Sequence, residues 1–312
     1  MSDALTDAAT VTVAICTFRR NELLVPLVRT IDGLAATEVA HGSLRVLIVD
    51  DSPEGAAAES IDRLRDDLTI EVEYNASGAA DISTARNRAL ALGGGSSDFV
   101  ACLDDDCIPN PGWLRELLRT ADEQRADLVV GHRQFVAAPT APRWISDAPF
   151  LAENTHYADG SIPVRGNTAN LLIRSSWLHS SGVQFRNEMG RVGGEDMVFF
   201  ADAESAGARI HFAARSLCNE PCEGRRATFR YQAWRQIWLG NNEAAINRAT
   251  LRVPRTRLAA RGIKRALMGA IHPVRRLARR KSPQVRWGLA LIGNGIGLLI
   301  GVAGVSLRHR AE

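Results

Sequence analysis

The stretch Phe99-Val-Ala-Cys-Leu-Asp-Asp-Asp106 joins an apolar, strand-like run to three adjacent carboxylates. Aspartate is a poor former of both helix and strand, so a strand is predicted to stop where the acids begin. Like charges at this spacing repel unless a cation or a proton neutralises them, and carboxylate oxygens are ligands that suit a hard divalent ion such as Mg²⁺. Taken alone, three aspartates are more simply interpreted as a solvated acidic turn.

Two other strand-like runs end in polar residues. Residues 11–16 are β-prone, have no helical period and stop at Thr17, and residues 44–49 stop at Asp50 and Asp51. Apolar runs of this kind are typical of strands that are buried on both faces of a parallel sheet. Ligands bind where the carboxyl ends of such strands meet, so the three polar ends are predicted to converge at one edge. This convergence favours a binding site over unrelated solvated turns.

Strands and helices alternate over residues 11–135. Helices are predicted between the strands, at 21–34, 53–67, 83–92 and 110–123, and further strands at 69–74 and 127–135. This alternation predicts an α/β fold, Rossmann-like, with a mostly parallel sheet and flanking helices. Residues 136–165 are interpreted as an insertion that covers part of the site. Short strands at 168–173 and 209–212 and a helix at 228–248 are predicted after it.

A glycine-rich turn precedes a second pair of acids. Gly193-Gly-Glu-Asp196 opens an apolar helix that is predicted to continue to about Ser205. Acids in the first turn of a helix are stabilised by its dipole, so Glu195 and Asp196 need no chemical role. The two glycines, however, permit close approach of a ligand or backbone angles that other residues avoid. Both interpretations are open on the residues alone.

Charge divides the chain into two parts. Residues 244–312 hold 15 Lys and Arg against one acid, net +14, whereas residues 1–243 hold 23 basic and 34 acidic residues, net −11. We therefore predict an acidic globular domain at 1–243 and a basic, helical, membrane-associating tail at 244–312. Within the tail, Pro254, Pro273 and Pro283 are predicted to separate short amphipathic helices that lie on anionic lipid. The uncharged segment 287–307 is long enough to span a membrane, but its six glycines leave a buried or interfacial segment as an equal alternative.

Partners and compartment follow from the same features. A nucleic-acid-binding arm is the alternative function for the basic tail, but the tail lacks aromatic stacking residues among its basic ones and continues into an apolar run, which favours lipid and argues against nucleic acid. Five cysteines form no even disulfide framework, as expected for a reducing cytosol. Residues 1–12 lack the basic and apolar regions of a secretory signal.

Seven short strings, taken together and in order, resemble an inverting family 2 glycosyltransferase of the GT-A fold. They cover about residues 11–245 and are Ile15-Cys-Thr-Phe-Arg19, Val49-Asp-Asp-Ser52, Ser83-Thr-Ala-Arg-Asn87, Leu103-Asp-Asp-Asp106 with Pro109 and Trp113-Leu114, Gly193-Gly-Glu-Asp196, Glu220-Pro221 and Arg226-Ala-Thr228. The chain further resembles the bacterial glucosyltransferases of succinoglycan-type exopolysaccharide pathways in three strings: Ala141-Pro-Arg-Trp144, Gly193-Gly-Glu-Asp-x-x-Phe-Phe200 and Glu220-Pro221.

The resemblance implies a metal-dependent transfer of a hexose, expected to be glucose, from a UDP-sugar. It implies that Asp51, with Asp50 close by, accepts hydrogen bonds from uracil, that Thr17 and Arg19 line the nucleotide pocket, and that Arg86 pairs with the diphosphate. Asp106, with Asp104, would hold Mg²⁺ or Mn²⁺, and Asp105 would face the ribose or the sugar. The ion would stabilise the departing diphosphate, so that no general acid is needed.

On the acceptor side, the resemblance implies that Asp196 is the catalytic base and that Glu195 orients it or contacts the acceptor. A polyprenyl-diphosphate-linked saccharide at the cytoplasmic face of the plasma membrane is the expected acceptor, with the protein peripheral or single-span. The Gln-x-x-Arg-Trp string of processive synthases is absent, so one sugar is expected per encounter. A sugar-nucleotide nucleotidyltransferase is the alternative enzyme class. It would need a glycine-rich loop after the first strand, and residues 17–21 contain no glycine.

Overall fold

The structure is a computed structural model that describes residues 9–39, 44–151, 157–163 and 166–308. These residues contain eight strands: β1 (Val11–Thr17), β2 (Leu44–Asp50), β3 (Glu71–Ala76), β4 (Phe99–Asp104), β5 (Ile108–Pro109), β6 (Leu128–Ala137), β7 (Asn170–Arg174) and β8 (Ile210–Cys222). The strands form one sheet in the order β3-β2-β1-β4-β7-β6-β8-β5. Strand β7 is antiparallel to both of its neighbours, and β5 is antiparallel to β8. The other pairs are parallel, which confirms the predicted mostly parallel sheet.

Helices flank this sheet. In the described ranges they are α1 (Asn21–Glu38), α2 (Ala58–Arg65), α3 (Ile82–Gly94), α4 (Trp113–Glu123), α5 (Arg143–Ser146), α6 (Ser175–Ser181), α7 (Glu195–Ser205), α8 (Phe229–Thr250), α9 (Arg255–Ala278) and α10 (Val285–Val302). Alternate residues of the central strands face opposite apolar layers. Ile15 packs in the layer that includes Leu24 of α1, and Ala14 packs in the layer that includes Phe199 of α7. Burial on both faces explains why these strands have no polar alternation.

The polar ends of the strands meet as predicted. Thr17 is in register with Asp50 across the β1–β2 pair, and Cys16 is in register with Asp104 across the β1–β4 pair. Glu38 fixes the start of α4. Its buried carboxylate accepts hydrogen bonds from the N–H groups of Gly112, Leu114 and Arg115 at 2.5, 3.1 and 3.0 Å. These are the amides that the start of α4 would otherwise leave unsatisfied.

Two predicted element boundaries are wrong. The predicted strand at 209–212 continues to Cys222, because β8 pairs with the whole of β6 and resumes after a register shift at Gly131 and His132. Glu220 and Pro221, predicted in a loop, therefore lie on a strand. The helix predicted from residue 53 begins at Ala58, because Gly55 adopts a left-handed φ of 66° and interrupts the helical backbone.

The tail is more continuous than predicted. Helix α9 runs through Pro273, whose ring packs beside Gly288 of α10, so only Pro254 and Pro283 separate helices. The predicted boundary between residues 243 and 244 falls inside α8. Three predictions extend beyond the described residues: the absent secretory signal involves 1–8, the insertion at 136–165 includes 152–156 and 164–165, and the tail includes 309–312.

Candidate active site

A cleft of about 1310 Å³ opens at the sheet edge where β1, β2 and β4 end. It is bounded by the β1–α1 and β4–β5 turns, by the start of α7 and by one side of α8. Most of the predicted site residues line it: Thr17, Asp51, Arg86, Asp104, Asp105, Asp106, Glu195 and Asp196. Acidic side chains from distant parts of the sequence therefore share one cavity. The segment predicted to cover the site contributes Pro149 and Phe150.

The second and third acids of the cluster contact arginines. Asp105 accepts hydrogen bonds from Thr17 Oγ1 at 2.8 Å and from Arg20 Nη1 at 2.9 Å, and Arg20 Nη1 also lies 3.0 Å from Asp106 Oδ2. Arg226 bonds the same oxygen of Asp106. Burial raises the pKa of Asp105 to about 6. Burial acts in the same direction on Asp106, but Arg226 and Arg20 outweigh it and hold the pKa of that carboxyl below its usual range.

Glu220 is the acid that the structure brings beside Asp106. The ligand atoms of Asp106, Cys107 and Glu220 lie within 4.8 Å of one another. Glu220 accepts from Arg226 Nη1 at 2.8 Å and from Arg133 Nη1 at 3.3 Å, and burial together with the charge of Asp106 raises its pKa to about 7. Carboxylates that are forced together in a buried site gain from a shared cation.

The donor set fits a hard divalent ion. Mg²⁺ and Mn²⁺ prefer oxygen ligands, which Asp106 and Glu220 supply, whereas the buried thiol of Cys107 is kept protonated because burial raises its pKa well above the usual value. Asp104, predicted as the partner of Asp106, instead accepts a hydrogen bond from Arg86 Nη2 at 3.1 Å. Asp104 faces Arg86 because β4 is still extended at that residue and turns only afterwards.

Arg86 joins the two acidic strings. Its guanidinium contacts Asp104 through Nη2 and Glu195 through Nη1, and only 12% of its side chain is exposed. It therefore bridges carboxylates in this structure, where the sequence predicted a contact with diphosphate. Burial raises the pKa of Glu195 to about 7 and also raises that of Asp196, although Arg86 acts in the opposite direction on both.

The glycine turn before Asp196 has the unusual backbone that its sequence allowed. Gly193 and Gly194 have φ of 90° and 79°, in the left-handed region. A Cβ on Gly193 would lie 2.3 Å from the ring of Trp238, and one on Gly194 would lie 2.7 Å from the side chain of Asn242. Trp238 also donates to the Val192 carbonyl at 3.0 Å. The turn is thus seated on α8, and α7 starts with Asp196 in the cleft.

Three predicted nucleotide contacts differ in environment. Asp51 lines the cleft and accepts from Ser77 Oγ at 2.5 Å, and burial raises its pKa. Asp50 lies outside the cleft, because its carboxylate is taken up by the amides of Ser52 and Ala57 at 2.9 and 2.8 Å and by two hydroxyls. Its role is to hold the turn after β2.

Arg19 also lies outside the cleft. Its side chain is 58% exposed and pairs with Glu54 at 2.6 Å, because the residue adopts a left-handed φ of 55°. The neighbouring Arg20 faces the acids. Arg20, Glu220 and Arg226 were therefore missed as site residues, although all three lie in or beside strings that carried the family resemblance.

Comparisons with known proteins agree with this geometry. Residues 12–178 match the family described as Glycosyl transferase family 2. The Succinoglycan biosynthesis protein ExoM of Rhizobium meliloti (strain 1021) is 33% identical over 235 residues, which are 75% of this chain and 74% of that protein.

Two solved structures share the fold. S. aureus TarS 1-349 in complex with UDP has a TM-score of 0.53 at 14% identity, and the similarity covers 95% of this chain and 92% of the TarS chain. GalNAc-T7 with UDP, GalNAc and Mn²⁺ has a TM-score of 0.52 at 12% identity and covers 76% of this chain and 51% of its own. These likenesses confirm the GT-A architecture predicted from the sequence. The family match and the identity to ExoM together establish that this chain belongs to glycosyl transferase family 2.

Proposed function

We propose that the protein transfers a hexose, glucose by its resemblance to succinoglycan-type enzymes, from a UDP-sugar to a lipid-linked saccharide. Transfer proceeds with inversion, one sugar per encounter, and depends on Mg²⁺ or Mn²⁺. The observation that carries the proposal is the shared cleft of Asp51, Asp106 and Asp196, which come from three distant segments. Asp51 would serve the uracil ring of the donor, Asp106 its diphosphate, and Asp196 the acceptor hydroxyl.

The donor end of the cleft is formed by the turns after β1, β2 and β4. Asp51 would accept hydrogen bonds from the uracil ring. Arg20 and Arg226 would contact phosphate oxygens, since both guanidiniums already bind the carboxylate of Asp106, beside which the diphosphate would lie. A divalent ion bound to Asp106 and Glu220 would stabilise the leaving diphosphate as a Lewis acid. GalNAc-T7 bound to UDP and Mn²⁺ supports this assignment by analogy of fold.

The acceptor end lies at the start of α7. The acceptor oxygen attacks the anomeric carbon, the bond from that carbon to the diphosphate breaks, UDP leaves, and the hydroxyl proton passes to Asp196. Asp196 is half-buried and its Oδ1 accepts from the N–H of Met197 at 2.7 Å. Glu195 is held by Arg86 and would orient the acceptor. An α-linked donor would give a β-linked product by a single displacement.

The acceptor class is supported by the surroundings of the cleft. Its far end is lined by residues of α9 and α10, among them Arg261, Arg265 and Trp287. Cationic side chains beside an apolar helix match an acceptor whose diphosphate is attached to a polyprenyl chain. We therefore propose a polyprenyl-diphosphate-linked saccharide, used at the cytoplasmic face of the plasma membrane in exopolysaccharide synthesis. ExoM, named for succinoglycan biosynthesis, is consistent with this role.

The base assignment is tested by Asp196→Asn. This change keeps the size of the side chain and removes its basicity, so transfer should fall at least about a hundredfold while UDP binding with Mn²⁺ is retained. Asp202→Asn is the matched control. Asp202 lies on the same helix but outside the cleft, where its Oδ1 is 2.7 Å from Nη2 of Arg186. Turnover and UDP affinity are measured for both. Near-normal turnover of Asp196→Asn would show that another group removes the proton.

A further inference from the structure

Helix α9 has an exposed apolar stripe opposite the face that contacts α10. The packed face includes Leu258, Gly262 and Gly269, and the two glycines lie against the backbone of α10. Five large apolar side chains project from the other side with 50–67% of their surface exposed: Ile263, Leu267, Ile271, Val274 and Leu277. Their spacing of three or four residues places them on one face of the helix. The stripe is continuous over about four turns.

A basic edge borders this stripe. Arg257, Lys264 and Arg275 are exposed and are separated by seven and eleven residues, two and three helical turns, so they share one line along α9. No acidic residue occurs between Glu243 and Glu312 in the sequence. An apolar face with cations along its border and no acid is the pattern of a helix that lies in the interface of an anionic bilayer.

Helix α10 is apolar and 18 residues long, and in the described part of the chain it is the one helix that could cross a membrane by length and composition. Three regions of it are tied to the rest of the protein. Trp287 packs on Phe150 with ring centroids 5.1 Å apart, Asn294 donates to the Gln236 carbonyl at 3.0 Å, and the Gly301 carbonyl accepts from Arg248 at 2.7 Å.

These contacts hold α10 along α8, which lines the cleft. If α10 crossed a bilayer, α8 would enter the hydrocarbon together with polar groups such as Gln236, Glu243 and Arg248. Buried polar groups of this kind are costly in lipid. Helix α10 is therefore suited to packing against α8 and poorly suited to spanning.

We propose that the protein is monotopic: the stripe of α9 inserts in the plane of an anionic membrane, and α10 stays packed on α8 without crossing. This inference rests on the proposed function for its biological purpose, because it brings the cleft to the surface where a lipid-linked acceptor resides. The lipid partner is recognised by its anionic headgroups and its acyl region, through the basic edge and the apolar stripe respectively.

Vesicle binding of the full-length protein tests the surface. Phosphatidylcholine vesicles with and without phosphatidylglycerol are mixed with wild type, with a stripe variant (Leu267→Ser with Val274→Ser) and with an edge variant (Lys264→Gln with Arg275→Gln). We expect anionic vesicles to be bound at least about tenfold more tightly than neutral ones, the stripe variant to lose about tenfold or more on both, and the edge variant to lose the anionic preference. Ile162→Ser, a 73% exposed apolar side chain outside α9, is the matched control and should bind as wild type.

Several outcomes would overturn the surface proposal. The proposal is wrong if the wild-type protein does not bind anionic vesicles, or if the stripe variant binds them as tightly as wild type. It is also wrong if the basic edge binds RNA that lipid does not displace, or if the wild-type protein is a dimer and the stripe substitutions convert it to a monomer. UDP binding with Mn²⁺ is measured without vesicles on the same samples. If UDP binds and vesicles do not, the docking surface is wrong and the proposed function stands; if vesicles bind and UDP does not, the reverse holds.

Topology is tested by cysteine labelling. Ser282→Cys and Ser306→Cys place single thiols at exposed positions just beyond either end of α10, while four of the five native cysteines are buried. Membrane vesicles with the cytoplasmic face outward are treated with an impermeant maleimide. Both positions should be labelled, with Cys16 labelling subtracted through the parent protein. Protection of one position, released by detergent, would show that α10 spans.

Discussion

Arg86 connects two carboxylates that lie far apart in the sequence, Asp104 at the end of β4 and Glu195 at the start of α7. Two further arginines, Arg20 and Arg226, form ion pairs with Asp106 on the other side of the same turn. The three adjacent aspartates therefore face different partners. Burial raises the pKa of Asp105, whereas Arg226 and Arg20 outweigh burial at Asp106 and hold its pKa below the usual range.

The proposed role of Asp196 as the base predicts the pH dependence of transfer. A general base acts in its deprotonated form, and burial raises the pKa of Asp196 above the ordinary value of about 3.9. Activity should thus be complete above the raised pKa and fall about tenfold per pH unit below it. The profile of kcat/KM is measured from about pH 8 downward until activity is lost, with UDP binding followed in parallel to confirm that the fold persists. An acid limb at or below the ordinary carboxyl pKa of about 3.9 would contradict the assignment.

Metal dependence distinguishes Glu220 from Asp104 as the partner of Asp106. Asp106→Ala should abolish Mn²⁺-dependent UDP binding, and Glu220→Gln should weaken the apparent Mn²⁺ affinity about tenfold or more, because its oxygen lies in the same cluster. Asp104→Asn should leave that affinity nearly unchanged, since Asp104 faces Arg86. Mn²⁺ titrations at fixed UDP measure all three variants. If Asp104→Asn removes the dependence and Glu220→Gln does not, the pairing inferred from the sequence is the right one.

At the scale of elements, the start of α7 depends on the fit between a turn and a helix. Gly193 and Gly194 take left-handed angles and rest on Trp238 and Asn242 of α8. With Asn242 oriented to satisfy its amide, its nitrogen donates to the Gly193 carbonyl at 2.7 Å and its oxygen accepts from the Gly194 N–H at 3.2 Å. The position of Asp196 is therefore set by α8 as well as by its own helix.

Gly193→Ala tests this fit. The change combines a left-handed φ, which costs about 1–2 kcal/mol for a residue with a side chain, with a collision against the Trp238 ring. Gly207→Ala is the matched control, because Gly207 has φ of 78° and nothing within 4 Å of an added Cβ. We expect Gly193→Ala to lower the free energy of unfolding by about 1–3 kcal/mol more than the control in urea titrations. Equal losses for the two variants would contradict the role of Trp238.

Strand β8 shows how an element can escape detection by local pattern. Its second half, which includes Asn219, Glu220 and Pro221, contains no β-branched residue. It is extended because it pairs with β6 from His132 to Ala137. Long-range pairing thus overrides weak propensity and delivers Glu220 to the cleft.

At the scale of the whole molecule, the tail is part of the packed structure. Helices α8 and α10 approach so closely that a Cβ on Gly297 would lie 1.9 Å from the Ile237 carbonyl oxygen, and one on Gly240 would lie 2.0 Å from the Asn294 carbonyl oxygen. Small residues are required at such a contact. The charge asymmetry between 1–243 and 244–312 therefore marks a change of surface within continuous packing.

Gly297→Ala tests whether this contact supports the catalytic part. The added methyl group would push α10 from α8, so we expect a loss of about 2 kcal/mol or more in the free energy of unfolding and a lower transfer rate. The matched control is Gly33→Ala in α1, where nothing lies within 4 Å and alanine should be neutral or stabilising by up to about 1 kcal/mol. Thermal unfolding and transfer assays compare the two. Unchanged stability of Gly297→Ala would mean that the tail is an independent unit.

Family membership also belongs to this scale. No single string in the sequence separates a glycosyltransferase from a nucleotidyltransferase, but the match over residues 12–178 spans the sheet and most of the helices around it. The family match over this length decides between the two enzyme classes in favour of the glycosyltransferase.

The sequence by itself determined the parts of this protein that depend on neighbouring residues. Apolar runs without helical period predict buried parallel strands, acids at their ends predict a site at the shared edge, and Gly193-Gly194 predicts an unusual turn. These properties are local, since steric limits on the backbone and the direction of parallel strands need no knowledge of distant contacts.

Only the tertiary structure decided which side chains meet. Glu220 reaches Asp106 through the pairing of β8 with β6, Arg20 faces the cleft while Arg19 turns away, and α10 lies along α8. Each of these outcomes depends on contacts between segments that are far apart in the chain. Local propensity carries no information about such contacts, because their energy exists only once the segments have packed together.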